Sequence, residues 1–430
     1  MTSQHQRSLD LFKDLALAWN DAGVGWALLG RYAPDHTFDD DIDVVVEPEM
    51  FDKARRLLEQ VVEQRGAQIV QVFRHEHQAF AAVIAQVHAQ VFGFVSIDMS
   101  PEFRYDGKVL QTGAELLQER KLADNSWLWL PNDSAAFAHY LLKSAAKKRF
   151  NEEGRAYFNS LTVDPFEATK AALDAKAAAQ IQTWLSSEAE LDSDQIRRSY
   201  SHRYPATWSS RWVELQRFWL RARQPTGLYV AITGPDGVGK STVSQKVFGL
   251  TKPCFRAVET SHLSVRTTAM KTRPPVQAPY TKGARGGLGS LLKLVVLVLR
   301  FHRLYWRWVW PHLRKHGLFW SDRHFGDFVA DPERFRVRLP LSVRRLSWNL
   351  LPQPDLTFVL VAKPETIQSR CSEVSLDQTQ SQLAHYEAMV TYSKSLVRIP
   401  ADQAADQVAY ALTAVIISRL ADRQRARGWI

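Results

Sequence analysis

The feature that most constrains this chain is a glycine-rich stretch near its middle, Gly234–Thr242, which reads GPDGVGKST. It follows an apolar run, Leu228–Ile232, and its first eight residues match the pattern G-x-x-x-x-G-K-[ST]. A strand that ends in such a loop and opens into a helix turns backbone amides and the helix N-terminus towards a phosphate. The stretch therefore predicts a phosphate-binding loop on a parallel α/β sheet.

The predicted loop implies ATP and Mg²⁺ as cofactors. Its glycines allow the backbone to fold around phosphate without a Cβ in the way. We expect the Lys240 ammonium to reach the β- and γ-phosphate oxygens and the Ser241 hydroxyl to bind Mg²⁺. The residues expected to bind the nucleotide are Gly234, Gly237, Gly239, Lys240, Ser241 and Thr242.

Composition narrows the class of protein and its compartment. A chain of 430 residues is long enough for two or three domains. Its two cysteines, Cys254 and Cys371, exclude a disulfide framework and the four-ligand zinc patterns, and they suit a reducing compartment. The segment Met1–Arg7 leads into no apolar stretch of a secretory signal, so we expect a cytoplasmic protein.

The net charge of +10 is concentrated in Ser261–Trp320, which contains eleven Lys and Arg residues and no Asp or Glu. Such a block favours an anionic partner: phosphates, a nucleic acid or a membrane surface. Within it, Leu291–Trp310 is basic and rich in tryptophan, but its longest charge-free run, Leu294–Leu299, is too short to span a membrane. Two interpretations remain open: a buried helix of the domain core, or a helix that lies on a membrane or contacts an anionic acceptor.

The N-terminal part contains a second set of carboxylates. Periodicity predicts a helix over residues 8–22, then strands at Val24–Gly30, from Asp39 to Val46 and at Phe92–Asp98. Because side chains alternate along a strand, Asp41 and Asp43 share one face, where two carboxylates need a cation such as Mg²⁺. Asp98 is the candidate third ligand, and the alternative is an acidic, solvated turn before an ordinary strand.

This order of strand, glycine, loop, D-x-D and a third Asp-bearing strand resembles the nucleotidyltransferase superfamily, the fold of polymerase β and kanamycin nucleotidyltransferase. The resemblance covers about residues 10–105. It implies that Asp41 and Asp43 hold two Mg²⁺ ions, with Asp98 as the third carboxylate, for attack on the α-phosphate of a nucleotide. Gly30-Arg31 replaces the Gly-Ser of that family, so the activity of this site stays open.

Four motifs of the C-terminal half resemble the thymidylate kinase family over about residues 226–422. They are the G-x-[DE]-G-x-G-K-[ST]-T loop at Gly234–Thr242, D-R-[YH] at Asp322–His324, P-D-L-T at Pro354–Thr357, and the arginine before the lid at Arg370. The resemblance implies a doubly wound parallel sheet.

The same resemblance implies roles for individual side chains. Asp236 and Asp322 face the acceptor or the metal, Arg323 clamps the acceptor phosphate or the transferring group, and Arg370 begins the lid. A further candidate comes from the residues themselves: the strand predicted over residues 255–259 ends near Glu259 and His262, where a carboxylate or an imidazole could face the acceptor hydroxyl. The alternative is a polar strand end in solvent, and Glu259 is the substitute for Asp236.

Three departures separate the chain from true thymidylate kinases. Cys371–Ser375 lacks the basic residues of the family's lid, and His324–Asp327 replaces a serine-rich stretch. The segment from residue 262 to residue 317 is longer and more basic than a thymidine monophosphate site requires. We therefore expect phosphotransfer to an acceptor other than thymidine monophosphate, with the basic segment 261–320 recognising it.

We accordingly predict a nucleotidyltransferase-like domain at 1–108, a helical extension and linker at 109–224, and a thymidylate-kinase-like domain at 225–430. The expected activity is ATP- and Mg²⁺-dependent phosphotransfer, and family analogy suggests bacterial surface-polysaccharide metabolism. Two alternatives remain: nucleotidyl transfer as the main activity, or a P-loop that hydrolyses or senses ATP in a regulatory protein. A peripheral membrane contact and a homodimer are the further partners considered.

Overall fold

The computed structural model describes residues 3–30, 41–76, 79–88, 90–124, 127–187, 190–261, 287–322, 339–370 and 376–428. The chain divides into two compact units, one formed by Met1–Leu220 with Ala421–Ile430 and the other by Arg221–Leu420. The predicted helical extension thus shares a unit with the predicted N-terminal domain.

The first unit is built on a mixed five-stranded sheet. Its spatial order is β1-β2-β5-β4-β3, with β2 and β5 parallel and the other neighbours antiparallel. These strands are β1 (Trp26–Leu29), β2 (Asp41–Val46), β3 (Gln68–Glu76), β4 (Ala79–His88) and β5 (Val91–Ser100). Two short ladders follow, β6 (Phe103–Tyr105) with β7 (Lys108–Gln111) and β8 (Lys121–Leu122) with β9 (Trp129–Leu130).

The helices of the first unit cover this sheet and form a second core. They are α1 (Ser3–Asp21), α2 (Phe51–Gln64), α3 (Gly113–Leu117), α4 (Asp133–Lys147), α5 (Glu152–Ser160), α6 (Pro165–Ala172), α7 (Ala175–Ser186), α8 (Ser193–Arg203) and α9 (Trp208–Arg223). The apolar spacing of α1 buries Leu11, Leu15 and Trp19 completely against the sheet, as its periodicity predicts. Phe137 of α4 and Phe158 of α5 lie in the separate helical core.

The second unit contains a parallel five-stranded sheet, which agrees with the predicted α/β class. Its order is β11-β12-β10-β13-β14, and every neighbouring pair is parallel. The strands are β10 (Leu228–Thr233), β11 (Val258–Ser261), β12 (Leu318–Asp322), β13 (Leu356–Val361) and β14 (Leu396–Pro400). Since the first strand lies at the centre, the chain builds outwards on both sides of β10, where α/β sheets bind ligands at their carboxyl edge.

Helices alternate with these strands, as the sequence pattern predicts. They are α10 (Lys240–Thr251), α11 (Gly287–Leu304), α12 (Trp310–Arg314), α13 (Leu341–Asn349), α14 (Pro364–Arg370), α15 (Leu376–Val390) and α16 (Ala405–Ala426). A single π-helical turn, Tyr305–Val309, joins α11 to α12. The helix α11 buries one face and exposes the other, so it is only partly the buried core helix that one interpretation predicted. In the described part of the chain, no helix has the length and hydropathy needed to cross a membrane.

Candidate active site

The loop between β10 and α10 has a backbone that requires glycine. Gly234, Gly237 and Gly239 have φ angles of +144°, +85° and +99°, a region that residues with a Cβ rarely adopt. A Cβ on Gly234 would also lie 2.6 Å from the carbonyl oxygen of Leu360 in the adjacent strand β13. The loop therefore closes tightly against the sheet in a conformation that the sequence pattern specifies.

Lys240 is turned into this loop. Its side chain is buried, and Nζ donates to the carbonyl oxygens of Gly234 at 2.9 Å and Pro235 at 2.8 Å. The Asp236 carboxylate lies 3.5 Å from the same ammonium. The lysine is thus held at the concave side of the loop, where a phosphate chain can be bound.

The N-terminus of α10 faces the same region. Its N-cap, Gly239, makes no side-chain hydrogen bond, and Ser241 and Thr242 are exposed in the first helical turn. Amides at such a helix start attract anions, and an exposed serine hydroxyl is a suitable Mg²⁺ ligand. The residues present therefore fit a nucleotide phosphate chain with its metal ion.

Strand pairing brings Asp322 to the loop. Asp322 is the last residue of β12 and lies opposite Ile232 of β10, two residues before Gly234. The predicted neighbours Arg323 and His324 lie outside the described residues, so the role of Arg323 stays a prediction. The structure nevertheless places this carboxylate at the edge where the phosphate loop begins.

Arg370 lies near the loop on the β13 side of β10, whereas Asp322 lies on the β12 side. Arg370 ends α14, which follows β13, and its guanidinium Nη1 lies 3.9 Å from the position of a Cβ on Gly239. Residues 371–375, the predicted start of the lid, lie outside the described residues. An exposed arginine beside the loop can neutralise charge on a bound phosphate.

The first unit brings together two of its three predicted carboxylates. Asp43 of β2 lies directly opposite Asp98 of β5 in the parallel ladder, while Asp41 lies opposite Ser96. Among the residues that the structure describes, no group of three or more His, Cys, Asp or Glu side chains is arranged to hold a metal ion. The metal-binding role of the three aspartates stays a prediction.

A lysine that sequence reasoning missed lies at these carboxylates. Lys143 of α4 forms a salt bridge with Asp43, with Nζ and Oδ2 2.6 Å apart. Burial disfavours its ammonium, but the charges of Asp43 and Asp98 outweigh burial and raise the pKa of Lys143. The only sequence signal was a charge among apolar residues of α4, which becomes informative once α4 is known to face β2.

One turn before Lys143, His139 is buried with neither ring nitrogen hydrogen-bonded within the described structure. Burial first, and then the charge of Lys143, lower the pKa of His139 to about 3. Its ring contacts Phe103 edge-on at a centroid distance of 4.4 Å. His139 is therefore neutral at physiological pH and supplies packing beside the carboxylates rather than charge.

Comparison with known proteins supports the kinase part of this description. No protein-family model matches the chain. The thymidylate kinases of Xanthomonas campestris pv. campestris strains B100 and 8004 are each 29% identical to it over 210 residues, covering 47% of this chain and 88% of each kinase. The thymidylate kinase of Xanthomonas euvesicatoria pv. vesicatoria strain 85-10 is 26% identical over 213 residues, covering 46% of this chain and 88% of that kinase. The chain contains a thymidylate-kinase-like region.

Within the thymidylate-kinase-like region, one conspicuous motif residue has a structural role. The Asp355 carboxylate accepts a hydrogen bond of 2.8 Å from the Tyr229 amide, and the Asp355 amide donates to the Tyr229 carbonyl, also at 2.8 Å. These bonds tie the starts of β10 and β13 together at the amino edge of the sheet. Asp355 is therefore far from the phosphate loop.

The thymidylate-kinase-like sheet also corrects the expectation for Glu259. The strand predicted over residues 255–259 is instead Val258–Ser261, so Glu259 is its second residue and lies opposite Phe319. Phe319 precedes Asp322 by three residues, which is about 10 Å along a strand. Glu259 is thus well short of the carboxyl edge and does not suit the role of substitute for Asp236, and His262 lies outside the described residues.

Proposed function

We propose that this chain is an ATP- and Mg²⁺-dependent phosphotransferase of the nucleoside-monophosphate-kinase type. The observation that carries the proposal is the buried Lys240 ammonium, which two carbonyls of a glycine-rich loop hold at the N-terminus of α10. The similarity to thymidylate kinases, which extends over 88% of their length, supports the same chemistry.

In the proposed reaction an acceptor oxygen forms a bond to the γ-phosphorus of ATP, and the bond to the β-phosphate oxygen breaks to release ADP. Lys240 and the loop amides bind the β- and γ-phosphates, and Ser241 and Asp322 hold Mg²⁺ or its water. The metal ion, when bound, would supply positive charge that offsets the negative charge of the phosphate groups.

The remaining loop residues orient the acceptor and neutralise charge. Asp236 orients the acceptor and accepts its proton where the acceptor is a hydroxyl. Arg323 and Arg370 neutralise charge as the phosphoryl group moves, so the protein contributes positioning and electrostatics rather than a covalent intermediate.

Lys240→Ala tests this assignment in the full-length chain. The variant should lose at least about 100-fold in transfer of ³²P from γ-labelled ATP, because a preorganised charge at the transferring group is removed. Lys246→Ala is the matched control, since Lys246 lies on the same helix and pairs at the surface with Asp406 at 2.5 Å. Transfer that survives in Lys240→Ala would refute the kinase assignment.

The acceptor is an anionic molecule recognised by the basic segment 261–320, and family analogy points to bacterial surface-polysaccharide metabolism. A screen with γ-³²P-ATP over nucleoside monophosphates, sugars, lipid-linked sugars and the protein itself identifies it. If labelled inorganic phosphate is the only product with every acceptor, the chain hydrolyses ATP in a regulatory or scaffold role. That outcome would agree with the proposed ATP-binding site and would exclude only phosphate transfer to an acceptor.

The second candidate function is nucleotidyl transfer by the first unit, favoured by the direct pairing of Asp43 with Asp98 in adjacent parallel strands. In this reaction Asp41, Asp43 and Asp98 would hold Mg²⁺ for attack on the α-phosphate. Asp41→Asn with Asp43→Asn should abolish label transfer from α-³²P-NTP. Asp14→Asn, at an exposed pair with Arg65, is the control. Label transfer that persists in the double variant would exclude this candidate.

A further inference from the structure

The helix α11 carries an apolar strip that faces solvent. Ser290, Leu294, Leu297 and Phe301 are buried on one side. On the opposite side Leu288, Leu292 and Leu299 are 84%, 67% and 64% exposed, with Val295 between them. At 100° per residue these four outer positions fall within about 60° of one another, so they form one continuous strip. Outer faces of helices in water are usually polar, and a contiguous apolar strip indicates an interaction surface.

Basic side chains border this strip without any acidic neighbour in sequence. Arg300 and Arg303 are exposed at the end of α11, and Arg307 stacks on the exposed ring of Trp308 at 5.5 Å in the π-helical turn. From residue 287 to residue 320 the chain contains six Lys or Arg and no Asp or Glu. The exposed Trp306 and Trp308 add large amphipathic rings next to these charges.

A second helix extends the same surface. The His302 ring donates a hydrogen bond of 2.8 Å to the Leu350 carbonyl, which ties α11 to the end of α13. Leu346 and Leu350, four residues apart, are 63% and 60% exposed. Two adjoining helices thus present leucine to solvent, which a helix that is merely imperfectly buried would not explain.

We propose that this surface, which we name the α11 face and define by Leu288, Leu292, Val295, Leu299, Arg300, Arg303 and Trp306, binds the surface of an anionic lipid bilayer. An apolar strip flanked by Arg and Trp is the pattern of helices that lie in the interfacial plane of a membrane. A polyphosphate chain would use the arginines and the aromatic rings, but it would leave the four aliphatic side chains without a role.

A second copy of the chain is a poorer occupant of the α11 face. Two such faces meeting would bring their arginines together with no carboxylate from this segment to offset them. An anionic bilayer offers headgroup charge for the arginines and acyl chains for the leucines at once. The interaction is peripheral, since none of the described helices can span a membrane.

Sedimentation of the full-length chain with vesicles tests the proposal. We expect at least about tenfold stronger binding to phosphatidylcholine vesicles that contain phosphatidylglycerol than to phosphatidylcholine alone, and weaker binding as salt is raised. Leu292→Ser with Leu299→Ser should lose at least about tenfold in binding, and so should Arg300→Gln with Arg303→Gln. Val87→Ser with Val91→Ser is the matched control, because both valines are 54% exposed but belong to the first unit.

The outcomes separate the occupants of the α11 face. Equal binding to neutral and anionic vesicles, or unchanged binding of the leucine variant, would overturn the proposal. Tight binding of a single-stranded oligonucleotide without any binding to vesicles would assign the face to nucleic acid instead and would equally overturn it. Loss of vesicle binding in both paired variants, with the thermal unfolding midpoint retained, would support it. Because vesicle binding is measured without ATP or an acceptor, this result does not depend on the kinase assignment.

Discussion

Gly234 shows how one residue position is restricted both by its own backbone and by a neighbouring strand. Its φ of +144° lies outside the range of other residues, and the Leu360 carbonyl occupies the place of a Cβ. Gly249, in the same helix–loop segment, has open space around its Cβ position. The two glycines therefore allow opposite predictions for the same substitution.

Gly234→Ala should destabilise the second unit by about 2 kcal/mol, because a strained backbone costs about 1–3 kcal/mol. Gly249→Ala should stabilise it by about 0.5–1 kcal/mol, since alanine favours a helix over glycine. Thermal unfolding of both variants checks the pair. A Gly234→Ala variant with an unchanged midpoint would contradict the described loop conformation.

His139 makes the stability of the first unit depend on pH. Its pKa is about 3 in the folded chain and 6.5 as an ordinary value, so the unfolded chain binds the proton first as pH falls. The contribution of His139 to the free energy of unfolding is fully present above pH 6.5. It is lost as pH falls from 6.5 to 3, by up to about 1.4 kcal/mol per pH unit.

The substitution His139→Gln should flatten the part of this pH dependence that belongs to the first unit. Thermal midpoints measured between pH 7 and pH 5 reveal the difference between the two proteins. Asp43, Lys143 and Lys147 also act on His139 electrostatically, so they must be left unchanged in the comparison. Parallel pH profiles for the two proteins would show that the pKa of His139 is the same in the folded and the unfolded chain, and would contradict the prediction.

At the scale of elements, α4 is capped by the residue that precedes it and carries His139 and Lys143 in its middle. Asn132 caps the helix, with its side-chain oxygen accepting from the Ala135 amide at 2.9 Å. The helix then delivers His139 and Lys143 to the carboxylates of β2 and β5. The cap is local in sequence, whereas the contact it permits joins residues 100 positions apart.

Asn132→Ala should cost about 1 kcal/mol of stability, because an orphan amide at the helix start loses its acceptor. Asn132→Asp should retain most of it, since the carboxylate accepts the same bond and suits the helix dipole. Denaturant unfolding of the two variants gives the comparison. Equal losses in both would mean that the Asn132 amide group, rather than the cap, stabilises the helix.

At the scale of the whole molecule, the last residues of the chain belong to the first unit. That unit includes Ala421–Ile430, and there the buried Gln424 side chain donates to the Gln71 side-chain oxygen of β3 at 3.4 Å. The second unit ends at Leu420. A chain truncated after Leu420 therefore lacks residues that belong to the first unit.

Gln424→Ala should lower the free energy of unfolding of the first unit by about 1–3 kcal/mol, because a buried polar partner is removed. Its thermal midpoint should fall accordingly. Arg425→Ala is the control, since its side chain is exposed and pairs with Asp422. Calorimetry with and without ATP assigns each unfolding transition to a unit, because a bound nucleotide raises the unfolding midpoint only of the unit that binds it. A shift confined to the ATP-responsive transition would contradict the assignment of these residues to the first unit.

The amino-acid sequence alone determined the parallel α/β class of the second unit and its phosphate loop. Both rest on contiguous signals: apolar strands alternating with helices, and glycines followed by Lys240 and Ser241 at fixed spacing. Contiguous residues keep nearly the same geometry wherever that strand–loop–helix unit occurs, so the prediction transfers directly. The similarity to thymidylate kinases supports it.

The distant side chains that meet this loop could not be identified without the packing of the strands and helices. Strand order brings Asp322 beside Ile232 and places Arg370 near Gly239, while register leaves Glu259 about 10 Å short of the edge. In the first unit the approach of α4 to β2 sets Lys143 on Asp43. These neighbours depend on register and packing between segments far apart in the chain, which periodicity and local motifs do not encode.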